Sequence, residues 1–307
     1  FSFFCFSFLI LFSPYLWIDT FQNFIAYFSI LIEAQEGINV VQLFLGEYSS
    51  STNASWYYRP VWFLVTTPIS IIIFLIPGLY IYSFRFIFRI INLSEDKKNI
   101  WGGKNELLDV FIFSFLILSV YLSCRFSSNQ FGGWRHLYFI YPFIIYFVIY
   151  GINYSYKIFR KIIIIKVIAS LIFLNLTYCL IWIKINHPYQ YVFFNYASNK
   201  IVKNNFDLDY WGMSNLNSLN YILQNDKEDL IKIGTLSFSS LEPSVIMLNK
   251  KDKKRILVTY DLEKSDYLLS NHMQRIRNKT KKYLINYNKF YEISVNNHII
   301  NTVYKRK

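Results

Sequence analysis

Of 307 residues, 54% are hydrophobic and 21% aromatic, with a positive mean hydropathy and a formal charge of +13. That is too apolar for one ordinary water-soluble domain, and the apolar runs crowd before about Ile185, so a membrane bundle followed by a water-facing domain is expected. The charge does not point to nucleic acid, because Lys and Arg are interspersed with acids and no aromatic-plus-basic RNA signature is present.

The chain opens Phe1-Ser-Phe-Phe-Cys-Phe-Ser-Phe-Leu-Ile-Leu-Phe12, with neither a Met nor the basic start of a signal peptide. It reads as the inside of a transmembrane helix that runs to about Trp17, where Ser13-Pro14 disfavours continuation. On that reading the sequence is the C-terminal part of a longer protein.

Residues 19–60 read as an outer loop. Within it Phe21, Phe24, Ile25, Phe28, Leu31 and Ile32 recur at helical spacing, which predicts an amphipathic helix on the membrane surface. Leu45–Asn53 reads as loop, and Trp56-Tyr57-Tyr58-Arg59-Pro60 as an interfacial aromatic belt.

Val61–Phe84 is apolar and about 24 residues long, enough to span, with kinks expected at Pro68 and Pro77. Arg85–Lys104 reads as a basic connection. Leu107–Ser123, His136–Asn153 and Ile162–Ile183 read as further spans, which makes about five in all. Cys5, Cys124 and Cys179 are isolated in or beside these runs and form neither a disulfide framework nor a metal pair.

The short connections carry eight cations on one side (Arg85, Arg89, Lys97, Lys98, Lys104, Lys157, Arg160, Lys161) and three on the other (Arg59, Arg125, Arg135). The positive-inside rule makes the first side cytoplasmic. Residues 1–183 are then a multi-pass transmembrane region, and residues 184–307 an extracytoplasmic domain. That tail holds 20 Lys and Arg against 11 Asp and Glu. Its helix Ser214–Leu223, with Ser214 as N-cap, and strands at Ile231–Leu236, Arg255–Tyr260, Tyr291–Val295 and His298–Tyr304 make it a small α/β domain, with Asn296-Asn297 as a hairpin turn.

The chemistry-bearing stretch is Phe131-Gly-Gly-Trp-Arg-His-Leu-Tyr-Phe-Ile-Tyr-Pro-Phe143. A cation and an imidazole at the mouth of a membrane helix are costly unless they pair, meet water or bind an anion. Arg135 and His136 are therefore candidates for holding a phosphate by charge-assisted hydrogen bonds; for Arg135 the other reading is anchoring to lipid headgroups. Arg59 and Arg125 share that face, and either alternatively pairs with Glu47 or Asp19. Trp56, Tyr57 and Tyr58 suit stacking on a sugar or isoprenoid, against plain interfacial anchoring. His187, Asp207, Asp209 and Trp211 read as a partly buried seam between domain and bundle. No Gly-rich phosphate loop, His-based metal pair or Ser/His/Asp order is present.

Four segments carry a family resemblance. Trp56-Tyr-Tyr-Arg-Pro-Val-Trp-Phe-Leu-Val-Thr-Thr-Pro68, Arg135-His136 with Tyr141-Pro142, His187-Pro-Tyr-Gln-Tyr-Val-Phe-Phe-Asn195 and Asp207-Leu-Asp-Tyr-Trp-Gly212 resemble boxes of polytopic GT-C glycosyltransferases. The kind is that of glycosyltransferase family 39, dolichyl-phosphate-mannose-protein mannosyltransferase-like or aminoarabinose-transferase-like. The resemblance implies a GT-C-like bundle that moves a sugar from a polyprenyl-phosphate donor to a lipid, glycan or protein acceptor on the extracytoplasmic face. It implies no separate cofactor, although some members bind a divalent metal. The family's catalytic carboxylate lies in the first outer loop, outside the matching segments, so the resemblance assigns no catalytic residue here. A non-catalytic transporter or flippase subunit with an outer partner-binding domain is the alternative.

Overall fold

The structure is a computed structural model that describes residues 2–37, 39–91, 104–125, 129–158, 162–196, 199–202, 204–273 and 280–307. Helix α1, Ser2–Phe12, is 11 residues long, and α2, Thr20–Gly37, is the 18-residue helix expected from the outer loop's periodicity. Leu45–Asn53, read as loop, instead contributes to a hairpin in which β1, Val41–Phe44, pairs antiparallel with β2, Glu47–Ser50. The two-residue turn Leu45-Gly46 has φ of 51° and 85°, both in the left-handed region that closes tight hairpins.

Pro68 breaks the next apolar run rather than kinking it. Helix α3, Tyr58–Thr66, ends there and α4, Ile69–Ile91, begins. Proline has no N–H for the carbonyl of Leu64, four residues earlier. Asn195 supplies the missing donors: its side-chain amide donates to Leu64 O at 2.7 Å and Thr67 O at 2.9 Å, and its backbone N–H to Val65 O at 2.9 Å. The segment after the last long helix thus seals a helix end that proline left open.

Pro77 sits inside α4, which runs on through Arg85 and Arg89 where a connection had been read. Helix α5 is Lys104–Arg125; a 3-10 turn at Arg135–Ile140 leads into α6, Tyr141–Ile158; and α7 is Ile162–Ile185. Arg89 continues the helix because its guanidinium reaches Glu106 of α5 at 3.0 Å, while Arg85 donates to Tyr150 of α6. Lys97, Lys98, Arg160 and Lys161 lie outside the described residues, as do Phe1 and most of the 85–104 connection. Four segments, Ile69–Ile91, Lys104–Arg125, Arg135–Ile158 and Ile162–Ile185, are long and apolar enough to cross a membrane.

Helices α4 and α6 pack most closely, at paired glycines. A Cβ on Gly78 would lie 2.0 Å from Phe147 O, and one on Gly151 2.1 Å from Phe74 O, so only bare backbone permits this approach. Around the crossing, Phe147, Tyr82 and Phe113 stack with ring centroids 5.0 to 5.9 Å apart. Outward, by contrast, Leu171, Phe173, Leu174 and Leu180 of α7 are each more than half exposed, a surface suited to hydrocarbon.

After α7 comes a short helix α8, Asn199–Val202, and then a mixed sheet. Its strands are β3 (Ile231–Thr235), β4 (Ile256–Val258), β5 (Tyr267–Ser270), β6 (Tyr287–Val295) and β7 (His298–Arg306), in the order β4-β3-β5-β7-β6. The first three are parallel and the last two antiparallel. Asn296 and Asn297, with φ of 48° and 64°, turn β6 into β7 as their composition led us to expect. The central strand β5 was not foreseen. Helix α9, Ser214–Asn225, packs on the sheet, and its start is capped not by Ser214 but by Asp209, whose carboxylate accepts from the backbone N–H of Met213 at 3.0 Å and of Ser214 at 3.2 Å.

The seam between bundle and domain forms at Phe206 and Asp207. Phe206 packs 5.0 Å from the Trp62 ring and bridges Phe44 of the hairpin, and the Asp207 carboxylate accepts Leu43 N–H at 2.8 Å. Asp207 and Asp209 are buried as expected. Trp211 is not: it is 55% exposed, and it meets the bundle through one face of its ring, over Arg135.

Candidate functional site

Arg135 stands at the start of the 3-10 turn before α6, in a setting built by the preceding glycines. Gly132 and Gly133 both have positive φ, and a Cβ on Gly132 would lie 3.0 Å from Arg135 Cζ, so the guanidinium packs against bare backbone. Two aromatic rings flank it: its Cζ is 5.0 Å from the Phe131 centroid and 4.4 Å from that of Trp211. Its Nε donates to His136 Nε2 at 3.3 Å, which casts that nitrogen as an acceptor. The rings and the loop fix a half-buried cation whose fork remains suited to an anion.

Beside it, an apolar cavity of about 510 Å³ opens among α3, α4, α5 and the 3-10 turn. Leu75, Leu116, Ile117 and Val120 are among its walls, and Arg59 is the one charged side chain lining it among the described residues. Arg59 is 6% exposed and donates to Ser123 O at 3.1 Å, tying α3 to the C-terminal turn of α5. A second pocket of about 200 Å³ lies at the junction with the C-terminal domain, lined by Gly133, Gln190, Tyr191 and Tyr210 among others. Trp134 borders both spaces. It is held by an indole N–H donated to Thr66 Oγ1 at 2.9 Å and by Phe63, 5.1 Å away.

Arg59, Trp56 and Trp134 thus meet around the apolar cavity, while Arg135 and His136 contact each other just after Trp134 in the chain and line neither space. Trp56 is exposed; Tyr57 is half-buried against Phe44, 5.9 Å away. Tyr58 lies in the core at 2% exposure, where its hydroxyl donates to Gln42 Oε1 at 2.8 Å and accepts Gly133 N–H at 3.2 Å. Its ring is a brace between hairpin and loop, not an open stacking face. Arg125, the last residue of α5, is exposed. Trp134, Gln190, Tyr191 and Tyr210 were not foreseen as site residues. Each falls within a box singled out in the sequence, but only the fold shows which of those side chains turn towards the same space.

Burial sets the charge states around the junction. It pushes the Tyr58, Tyr191 and Tyr210 hydroxyls up, so all three remain donors at neutral pH. It also pushes the Asp207 carboxyl up to about 7, against the hydrogen bond from Leu43, and raises Asp209 despite the donors around it. Among the described residues neither carboxyl is paired with a cation, and both brace the chain. Among the described residues no group of three His, Cys, Asp or Glu side chains is placed to hold a metal ion. Comparisons with protein-family models, with curated proteins and with solved structures return no match for this chain.

Proposed function

We propose that this chain is the donor-binding part of a membrane glycosyltransferase that moves a sugar from a polyprenyl-phosphate carrier to an acceptor on the extracytoplasmic face. The observation that carries the reading is the adjacency of three chemistries. An apolar cavity of about 510 Å³ suits an isoprenoid chain, a guanidinium flanked by rings suits a phosphate, and a pocket of about 200 Å³ with Gln190, Tyr191 and Tyr210 suits a sugar. Trp134 divides the lipid part from the polar part.

In the reaction an acceptor hydroxyl attacks C1 of the donor sugar, its proton passing to solvent or to the departing phosphate, while the bond from C1 to the phosphate oxygen breaks and the carrier leaves as a phosphate monoester. Negative charge grows on that phosphate as the bond breaks, and Arg135 acts there, because a preorganised cation at developing charge lowers the barrier. The test is transfer from radiolabelled polyprenyl-phosphate sugars by the full chain in membranes at matched expression. Arg135→Ala should lower kcat/KM by about 100-fold or more. Arg135→Lys should also reduce it, since Lys offers a point charge without the bidentate fork. Near-normal transfer by Arg135→Ala would return Arg135 to headgroup anchoring.

A further inference from the structure

A third cleft, of about 360 Å³, opens on the outer side of the seam and shares no lining residue with the two spaces around Trp134. Its walls come from parts of the chain far apart in sequence. The hairpin supplies Tyr48, the seam supplies Asp207, the loop after β5 supplies His272, the β6–β7 turn supplies Asn297, and the start of β7 supplies His298 and Ile299.

The wall chemistry narrows the ligand. Among the described residues no Lys or Arg lines the cleft, so the described walls favour a neutral ligand over a phosphate or carboxylate. A resident metal has no three-ligand set among the described residues. Asp207 is 8% exposed, and its Oδ2 accepts Leu43 N–H at 2.8 Å. Its Oδ1 makes no hydrogen bond among the described residues and is not sealed from solvent, so a hydroxyl entering the cleft can donate to it.

His272 holds φ at +63°, a conformation uncommon for a side chain other than Gly or Asn, and its Nε2 lies 3.2 Å from Thr302 Oγ1. Burial pushes its imidazole below the usual range, so it is neutral at pH 7 and presents one donor and one acceptor. Tyr48 and Ile299 add apolar surface for the C–H face of a sugar ring. The volume falls in the range of roughly 300 to 1,000 Å³ typical of small-ligand sites.

We propose that this cleft binds a neutral carbohydrate, with Asp207 Oδ1 taking a sugar hydroxyl and the imidazoles and Asn297 contacting others. The site is independent of the donor reading, and its test uses no donor and no transfer assay.

The test is saturation-transfer NMR on the full chain in detergent, with cellobiose, maltose, mannobiose and diacetylchitobiose as probes, and with inorganic phosphate and butylamine as charged controls. At least one disaccharide should receive saturation, and Ile299→Trp, which fills the cleft from a position 42% exposed, should weaken it by at least about tenfold without changing the melting temperature. Tyr48→Ala is the second variant, with the same expected direction. The proposal is overturned if no disaccharide receives saturation, if binding survives both variants, or if phosphate or butylamine binds in their place with the same sensitivity to Ile299→Trp.

Discussion

Asp207 has a consequence for stability as well as for the cleft. Its carboxyl is pushed up to about 7 by burial, above the roughly 3.9 of an unfolded aspartate. The folded state therefore holds that proton more tightly, and the contribution is full below about pH 4 and lost as pH rises through about 7. Asp207→Asn removes the titration while keeping an oxygen for Leu43 N–H. The melting temperature of wild type minus that of Asp207→Asn should fall between pH 5 and pH 8, whereas a constant difference would mean the carboxyl is not held protonated. His272, whose imidazole burial lowers, has the opposite pH dependence, and taking the difference between the two proteins removes it. The sequence marked Asp207 as a seam residue, and it is; Asp209 instead is buried within the C-terminal domain, where it caps α9. Trp211 is more exposed than a partly buried seam suggests, yet it meets the bundle through the Arg135 guanidinium, a contact that the composition of Asp207-Leu-Asp-Tyr-Trp-Gly212 does not reveal.

At the scale of elements, the long helices were legible because their apolar runs exceed what any turn or strand needs. Their ends were not. Helix α4 continues past Arg85 and Arg89 because partners on α5 and α6 accept those cations, a tertiary fact absent from local composition. Strand β5 was missed because Tyr267-Leu-Leu-Ser is four residues buried on both faces, without the alternation that marks a half-exposed strand. Leu45–Asn53, which holds the turn and second strand of the hairpin, was read as loop because its serines and Gly46 are turn formers. Two tests belong at this scale. Gly78→Ala and Gly151→Ala should each destabilise the protein by about 1 to 3 kcal/mol, the usual cost of overpacking, because the Cβ meets a rigid backbone carbonyl. Asn195→Ala, which orphans the carbonyls of Leu64 and Thr67, should cost about 1 to 3 kcal/mol. Unchanged thermal melts in detergent would contradict the glycine crossing or the sealed helix end, respectively.

For the whole molecule, the division into a helical part and a C-terminal mixed-sheet domain was legible in composition, whereas of their junction only Asp207 was marked in the sequence. The bundle and the domain share a core through Phe194, Val202 and Phe206, and Trp182 near the end of α7 packs with Ile293, Val295 and Ile300 of the sheet. The cation count, eight against three, predicts an extracytoplasmic C-terminal domain. With the native cysteines replaced, a cysteine at Asn249 should react with an impermeant maleimide in intact cells and one at Asn105 should not. The reverse pattern would place the site on the other side of the membrane. The central claim, that a polyprenyl phosphate lies in the apolar cavity with its phosphate at Arg135, is tested most directly by photocrosslinking. The full chain carrying benzoylphenylalanine at Ile117, on the cavity wall, should crosslink added polyprenyl phosphate in membranes, and Arg135→Ala should abolish that adduct while leaving the protein folded. Adducts to ordinary phospholipids alone, or a polyprenyl phosphate adduct indifferent to Arg135, would contradict it.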